Sequence, residues 1–579
     1  MDLMPVFLQK YLYHKGVFTM PNFTTRLPIF IYCFEKSPQD MDVLDRFLVF
    51  LQRIGVGELV QTTDGSRSGP GRPKFDETNL FAGILLCCSM RRYSLREMEE
   101  TMANDVRCIY VSDRSYPSYR TIGSFLNDTF AKNADRIMST IVNGIAEETG
   151  LDLFDTHYVD GSKFEADANK YKFRWKPDRK REKLIGKINT VISSYDSGAA
   201  TIDGLERLKS YLLPLRKKLV DAGYDPDNLV TGKGIRHPKD VSMYLKLNGM
   251  CAKLQQYDLD IAICGTGRNS YYLTDPDATA MCMKEDYYSG VGSNLHAAYN
   301  VQFAVSHGFI VSCMVSQDRT DFRTFRPFLD KIKGLFGKHP KKVCADAGYG
   351  SLDNYRYMKE NSIANYVKYT NWAKEIDGRK PPLLDMDAEG KLRCLAGAEA
   401  VPDGNVSAHP KKQGASFYTV KCVRGCPYRD FCRRNLKKKT GMTRTIEFSV
   451  DYHGFTREAK ENLLSVSGIE IRVNRSIQVE GAFGNMKENM GYERFRRTGL
   501  ANVAMELVLQ CIGVNIRKLL DYYKTGLLPE FWKAPEGTEP EKPHKIRKCV
   551  TGKQKKKKLS VNEKAKVAAK KEKSKRRKK

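Results

Sequence analysis

The chain has 579 residues, enough for several domains and a large core. Lysine and arginine outnumber aspartate and glutamate by 97 − 68 = 29, so the surface attracts polyanions, of which nucleic acid is the commonest. Fifteen cysteines without a secretory signal point to a reducing compartment, and no run approaches the ~18 apolar residues of a membrane span, so the expectation is a soluble cytoplasmic protein that does not contact a membrane.

Residues 1–40 have no assignable pattern. Over Asp42–Ile54, Leu44, Phe47, Leu48, Leu51 and Ile54 share one helical face. TTDGSRSGPGRPKF then reads as a flexible basic linker. Asp76 is placed to N-cap a helix through FAGILLCC, Ser94 with Glu97 forms a capping box, and Ser118 caps a long helix reaching the Glu-Glu-Thr before Gly150. Residues 41–150 are therefore expected to be a helical domain. Its short capped helices beside basic linkers suit DNA binding of the helix-turn-helix kind; a plain helical bundle fits the same pattern.

In THYVDGSKFEA, Asp160 follows Tyr158-Val159 and precedes Gly161. In KVCADAGYGS, Asp346 follows Val343-Cys344-Ala345 in the same way. A short apolar run closed by glycine reads as a buried strand, and the first polar side chain after it sits at the sheet's carboxyl end, where open α/β sheets place their chemistry. Between these strands, residues 172–286 read as a helical insertion. Leu205, Leu208, Leu212, Leu215 and Leu219 form a seam interrupted by Pro214, with Ile185, Ile188 and Ile192 on the partner of a helical hairpin. LHAAYNVQFAV and FIVSCMVSQ, joined through Gly308, form a β-hairpin. TDFRTFRPFLDKIKGLFG is an amphipathic helix with Phe322, Phe325, Phe328 and Leu329 together, and a helix and a strand follow Asp346. This order predicts a mixed sheet in which the Asp160 and Asp346 strands are parallel neighbours, within a core made of 151–171 and 287–370.

Residues 371–445 read as loop-rich and hold Cys394, Cys422, Cys426 and Cys432, the last three as C-x3-C-x5-C. Thiolates grouped this way can hold a structural Zn2+, with free thiols as the alternative. Residues 446–530 supply a helix from Ser476, a turn at Gly491 and a long helix from Asn502, with Glu480, Phe483 and Lys487 on one face. The Lys-rich stretch 531–579 reads as a disordered basic tail.

Two aspartates at strand ends and a glutamate on a later helix repel one another, so they need cations to converge. Two Mg2+ (or Mn2+) ions about 3.5–4 Å apart supply that reason and support in-line displacement at phosphorus. Lys487, Arg472 and Arg475 are candidates for DNA phosphate contacts.

The stretches GRPKFDETNLFAGILL…SLREMEE, YVDGSKFEADANK, HAAYNVQFAV, ADAGYGS, the four-cysteine block and RSIQVEGAFGNMKENMGYERFRRTGLANVAMEL together resemble the DDE transposases of bacterial insertion sequences. More narrowly, they resemble the insertion-sequence-four superfamily group with an N-terminal helical domain and a cysteine-bearing insertion. The resemblance implies an α/β fold: an RNase H-like mixed sheet with flanking helices, plus an N-terminal all-α domain and insertions. It implies Asp160 and Asp346 as metal-binding aspartates and Glu480 as the catalytic glutamate. It further implies a homodimer, acting with the bacterial nucleoid, that binds terminal inverted repeats in double-stranded DNA, cuts a strand and transfers the 3′-hydroxyl to target DNA. Glu480 and Lys487 match the spacing of the superfamily's signature helix. Its tyrosine and arginine do not: Ser476 stands four before Glu480, and Arg475 is one residue out of register. A catalytically silent DNA-binding relative and a structure-selective nuclease on the same core are the other two readings.

Overall fold

The computed structural model describes residues 38–61, 75–232, 234–283, 295–408, 414–433, 436 and 441–545. Nearly all of the unassigned N-terminal stretch, the basic linker up to residue 74 and the tail from 546 lie outside the described residues. The chain divides into two units, Met1–Gly150 with Leu509–Leu528, and Leu151–Val508 with Pro529–Lys579.

The first unit is all-helical: α1 (Pro38–Arg53), α2 (Glu77–Ser89), α3 (Leu95–Asn104), α4 (Val106–Val111), α5 (Tyr119–Phe125) and α6 (Ala131–Thr149), completed by residues 509–525 of the chain's last helix. Its helix starts are set by side chains. Asp76 accepts from the Asn79 amide, Ser94 and Glu97 cap reciprocally, and Ser118 accepts from the Thr121 amide. Each such cap contributes about 1 kcal/mol. A fourth cap, Asp105 onto the Arg107 amide, separates α3 from α4. The single helix expected after Ser118 is instead interrupted by a π turn, Leu126–Phe130. On α1, Leu44, Phe47 and Leu51 are buried with Val43 and Phe50, while Leu48 and Ile54 are only half-buried, so the buried stripe is rotated from the expected one. Among the described residues, no helix is long and apolar enough to cross a membrane.

The second unit is built on a mixed sheet. In chain order it contains β1 (Thr156–Glu165), β2 (Phe173–Trp175), α7 (Asp178–Tyr195), α8 (Leu205–Asp221), α9 (Lys239–Cys264), β3 (Ser270–Tyr272), β4 (Thr279–Cys282), β5 (Leu295–Ser306), β6 (Phe309–Ser316), α10 (Phe325–Phe336), β7 (Lys342–Ala345), α11 (Leu352–Glu360) and β8 (Ala364–Val367). The six-stranded sheet runs β4-β5-β1-β7-β8, with β6 paired to the rest of β5's outer edge. β1, β7 and β8 are parallel, and β5 is antiparallel to β1. The hairpin turns through His307 and Gly308, at φ 48° and 79°, the two positive dihedrals of a tight primed turn. Phe325, Phe328, Leu329 and Ile332 bury the inner face of α10. Phe322 falls in the preceding 3-10 turn and is half-buried.

The insertion is shorter and more helical than expected. β4 pairs with β5, so it belongs to the sheet, and β2 with β3 forms a ribbon at the insertion's root. Three helices, not a hairpin, share the insertion's core. Leu184, Ile188 and Ile192 of α7 and Leu208, Leu212, Leu215 and Leu219 of α8 meet Val241, Tyr244, Leu247 and Leu254 of α9. Pro214 lies inside α8 without ending it.

After β8 come α12 (Trp372–Ile376), β9 (Leu384–Met386), β10 (Leu392–Cys394), β11 (Ala400–Val406), β12 (Ser416–Lys421), α13 (Arg429–Arg433) and β13 (Thr443–Phe448). The region read as loop-rich thus contains a hairpin and a three-stranded antiparallel sheet. Its small core is Leu384, Leu392, Ala400, Val420 and Ile446.

Next are α14 (Val450–Leu464), α15 (Val466–Arg475), a π turn Ser476–Glu480, one α turn Gly481–Gly484, a second π turn Asn485–Asn489 and α16 (Leu500–Thr525). The glutamate helix therefore begins upstream of Ser476. Residues 531–545 depart from the expected disorder. Asn474 exchanges hydrogen bonds with the Trp532 backbone at 2.9 and 3.1 Å, the Ala534 amide donates to Glu470 at 2.8 Å, and the Glu541 amide donates to the Leu464 carbonyl at 2.8 Å. Backbone polar groups dock this strap, so its low apolar content did not reveal it.

Candidate active site

The register of the central strands sets the site. β1 and β7 pair up to Val159↔Ala345, and β7 and β8 up to Ala345↔Val367. Asp160, Asp346 and Lys368 are the next residues on three adjacent parallel strands. β1 does not end at Asp160, as its sequence suggested. It continues to Glu165, because β5 still pairs with it (Asp160↔Phe303 to Glu165↔Ala298) where β7 has stopped. Each aspartate has one oxygen held by a nearby amide: Gly161 N–H donates to Asp160 Oδ1 at 2.9 Å, and Gly348 N–H donates to Asp346 Oδ1 at 2.8 Å.

Glu480 reaches this row through an arginine. Arg475 donates from Nη1 to Asp160 Oδ2 at 3.1 Å and from Nη2 to Glu480 Oε1 at 3.2 Å. The π turn makes this possible. An α turn aligns residues about four apart, whereas the wider turn aligns residues five apart, so Arg475 comes into line with Glu480. The register mismatch in the sequence is the extra residue of the π turn. Ser476 Oγ also donates to Glu480 Oε1, at 3.3 Å, and Gly308 N–H braces the turn by donating to Gln478 Oε1 at 2.9 Å. The Arg475 side chain is 10% exposed and Glu480 58%. Arg475 Nε is buried with no hydrogen-bond partner among the described residues.

Burial pushes the Asp160 carboxyl above the ordinary aspartate range. Arg475 pulls it back, and the neighbouring Asp346 pushes it up. Burial weakens the Arg475 cation, but Asp160, Cys344, Asp346 and Glu480 together outweigh this and the guanidinium holds its proton more tightly than usual. Lys368 is held below the usual lysine range by burial and by Arg475.

Two other expected phosphate contacts are engaged elsewhere. Lys487 Nζ donates to Ser162 Oγ at 2.7 Å and to the Lys163 carbonyl at 2.8 Å, and lies 4.4 Å from the centre of the Phe164 ring. It ties the glutamate helix to β1. Arg472 pairs with Glu541 of the strap and lies 5.8 Å from the Trp372 ring centre.

Cys394, Cys422, Cys426 and Cys432 line one cavity of about 30 Å³ with Arg429, Arg433 and Arg444. Arg433 Nη2 donates to Cys422 Sγ at 3.3 Å, and Arg444 donates to Cys432 Sγ. Among the described residues, no three His, Cys, Asp or Glu side chains stand close enough to hold a metal ion, either here or at the aspartates.

Sequence reasoning missed several residues beside the aspartates: Lys368, Asn300, Gln302, Asp321 and Tyr349. The usable signal was Asn300 and Gln302 in YNVQF, two amides at period-2 spacing on an otherwise apolar strand.

A protein-family model described as a transposase DDE domain matches residues 399–520. That stretch contains Glu480, Arg475, Lys487 and three of the four cysteines, and lies wholly C-terminal to both aspartates. No curated protein and no solved structure matches the chain. The match supports a DDE transposase, an enzyme that cuts DNA, and the mixed sheet is compatible with a DDE core. DDE transposases generally use divalent metal ions.

Proposed function

We propose that the chain is the transposase of an insertion sequence. It binds the element's terminal inverted repeats as a homodimer, cuts a DNA strand at the element's end and transfers the freed 3′-hydroxyl to target DNA. The observation that carries this reading is the bridge from Asp160 to Glu480 through Arg475, with Asp346 following the adjacent parallel strand and the family match lying over Glu480.

The donor set fits Mg2+ or Mn2+, which take carboxylate oxygens and keep several waters. Asp160, Asp346 and Glu480 would hold the ions; when bound, they polarise the phosphoryl group and activate the attacking oxygen. The residues of the chain do the rest. The backbone amides of Gly161 and Gly348 orient the aspartates. Arg475 has a buried free N–H that suits a phosphate oxygen, and it balances the carboxylate charge until cations arrive. The ribbon strand β2 supports a DNA contact beyond the site. Tyr171, Phe173 and Trp175 are 81%, 40% and 51% exposed and alternate with Lys170, Lys172, Arg174 and Lys176. Exposed rings interleaved with cations suit unstacked bases and phosphates. The four cysteines are proposed as ligands of a structural Zn2+.

The test is cleavage of end-labelled DNA carrying the element's terminal repeat in Mg2+, with Asp346→Asn and Glu480→Gln alongside. The expected result is nicking at the repeat boundary by the wild type, and binding without cutting by both variants. Binding without cutting by the wild type in Mg2+ or Mn2+ would leave a DNA-binding relative. Cutting of branched or open ends with no strand transfer would leave a nuclease.

A further inference from the structure

We propose that Asp321 is a fourth carboxylate of this site, ligating or directly steering the divalent cation on the Asp346 side. The proposal rests on the metal-dependent reading above.

Asp321 opens the short 3-10 turn between β6 and α10. An aspartate there ordinarily serves the helix start, but this side chain does not. Thr324 N–H and Oγ1 both donate to the Asp321 backbone carbonyl, and no side chain caps either the turn or α10. The carboxylate faces the sheet instead. Its Oδ1 accepts from Asn300 Nδ2 at 2.8 Å and from Gln302 Nε2 at 3.2 Å. Gln302 Nε2 also donates to Asn300 Oδ1 at 3.0 Å, and Tyr349 Oη donates to Gln302 Oε1. The tyrosine fixes which way the Gln302 amide points, and the amide fixes the carboxylate. Asn300, Gln302 and Tyr349 are at most 1% exposed. Burial and the charges of Asp321, Asp160 and Asp346 keep the Tyr349 phenol protonated, so it remains a donor.

Two glycines locate the carboxylate. A β-carbon on Gly161, directly after Asp160, would stand 2.6 Å from Asp321 Oδ1 and 2.4 Å from Gln302 Nε2. A β-carbon on Gly348 would stand 3.6 Å from Asp321 Oδ2 and 2.9 Å from Asp346 Oδ1. Asp321 therefore occupies the space that a larger residue would take directly after Asp160, and lies within ordinary contact of the glycine that follows Asp346.

The polar network is one-sided. Neutral amide donors converge on Oδ1, while Oδ2, on the Asp346 side, accepts from no donor among the described residues. Asp321 is half-buried, and carboxylates that converge on one another repel unless a cation answers them. The neighbouring Asp160 is answered by Arg475, but among the described residues no salt bridge reaches Asp321. A divalent cation shared with Asp346 would answer it, with hard oxygen donors of the kind Mg2+ and Mn2+ take.

The test measures Mn2+ binding to the full-length protein by titration calorimetry, without DNA, for wild type, Asp321→Asn and Asp346→Asn. Asp321→Asn keeps the shape and removes the charge. The expected result is roughly tenfold or greater loss of Mn2+ affinity, the scale on which metal sites respond to altered shells, with thermal unfolding kept. Wild-type affinity in Asp321→Asn with loss in Asp346→Asn overturns this proposal and leaves the three-carboxylate site standing. Wild-type affinity in both variants removes both readings. If Asp321→Asn does not fold, Asp321→Glu takes its place: it retains the charge but displaces the oxygens, and unchanged Mn2+ affinity in that variant also overturns the proposal.

Discussion

The carboxylate site and the cysteine cavity are in the same unit, and each gathers metal-type ligands from distant stretches of chain. They are built in different ways. Asp160 and Asp346 stand on strands whose pairing, down to Val159↔Ala345, fixes them before any cation arrives. The cysteines come from the end of β10, the residue after β12, a turn and the short α13, around a core of five buried residues. Their arginines differ too. Arg475 bridges two carboxylates, whereas Arg433 and Arg444 each donate to a single sulfur. A site on a large sheet is preorganised by the fold. A site on short elements must help to make the fold.

The largest expected effect follows from that contrast. On the proposal that the cysteines hold zinc, Cys426→Ser or a strong chelator should lower the melting temperature by many degrees, because binding energy at such a site is folding energy. Asp346→Asn should leave the melting temperature near wild type. Metal analysis together with calorimetric melting checks this pair. A zinc-free protein that melts like the zinc-treated one would break the comparison on the cysteine side.

Arg475→Met should have the next effect. Burial already raises the Asp160 carboxyl, and Arg475 restrains it. Without the guanidinium, Asp160 takes up its proton at a still higher pH. Cation binding needs the ionised form, so as pH falls cleavage should be lost earlier in the variant than in wild type. Stability runs the opposite way. A carboxyl whose folded pKa lies above its unfolded one favours folding below that pKa, and this gain is lost as pH rises through it. Cleavage rates against pH measure the shift, and an unmoved acid limb would mean that Arg475 does not act on Asp160.

The smallest effect belongs to the strap. Glu541→Ala removes a partly exposed ion pair with Arg472, and such pairs contribute about 1 kcal/mol or less. Urea denaturation should show a shift of that size, with DNA cleavage unchanged. A large loss of cleavage would bring Arg472 into the active site after all.

What could be read in the sequence was local. Asp76, Ser94 and Ser118 could be assigned as caps because an N-cap depends on the next three residues. Asp160 and Asp346 stood out because apolar runs lead into them, and their adjacency followed from the order of elements. Arg475 looked misplaced because fixed helical spacing has no place for a π turn. The Glu480–Lys487 spacing was readable, but not that Lys487 would be used on Ser162 and the Lys163 carbonyl. Asp321 drew no notice within an amphipathic stretch, and only the tertiary fold brings Asn300 and Gln302 to it. The third helix of the insertion was missed because α9 has a mixed buried face, on which Asp260 sits with Val241, Leu247 and Leu254 and accepts from Arg174, Gln256 and Tyr271.

The two π turns at Ser476–Glu480 and Asn485–Asn489 have a consequence for how such a chain is recognised. Each is one residue longer than the α turn it replaces. A one-codon insertion ahead of Glu480 can thus be absorbed as a local widening, with the arginine and the glutamate still in contact. A search that demands invariant spacing between them would pass over this helix, and one that allows a single-residue slip would find it.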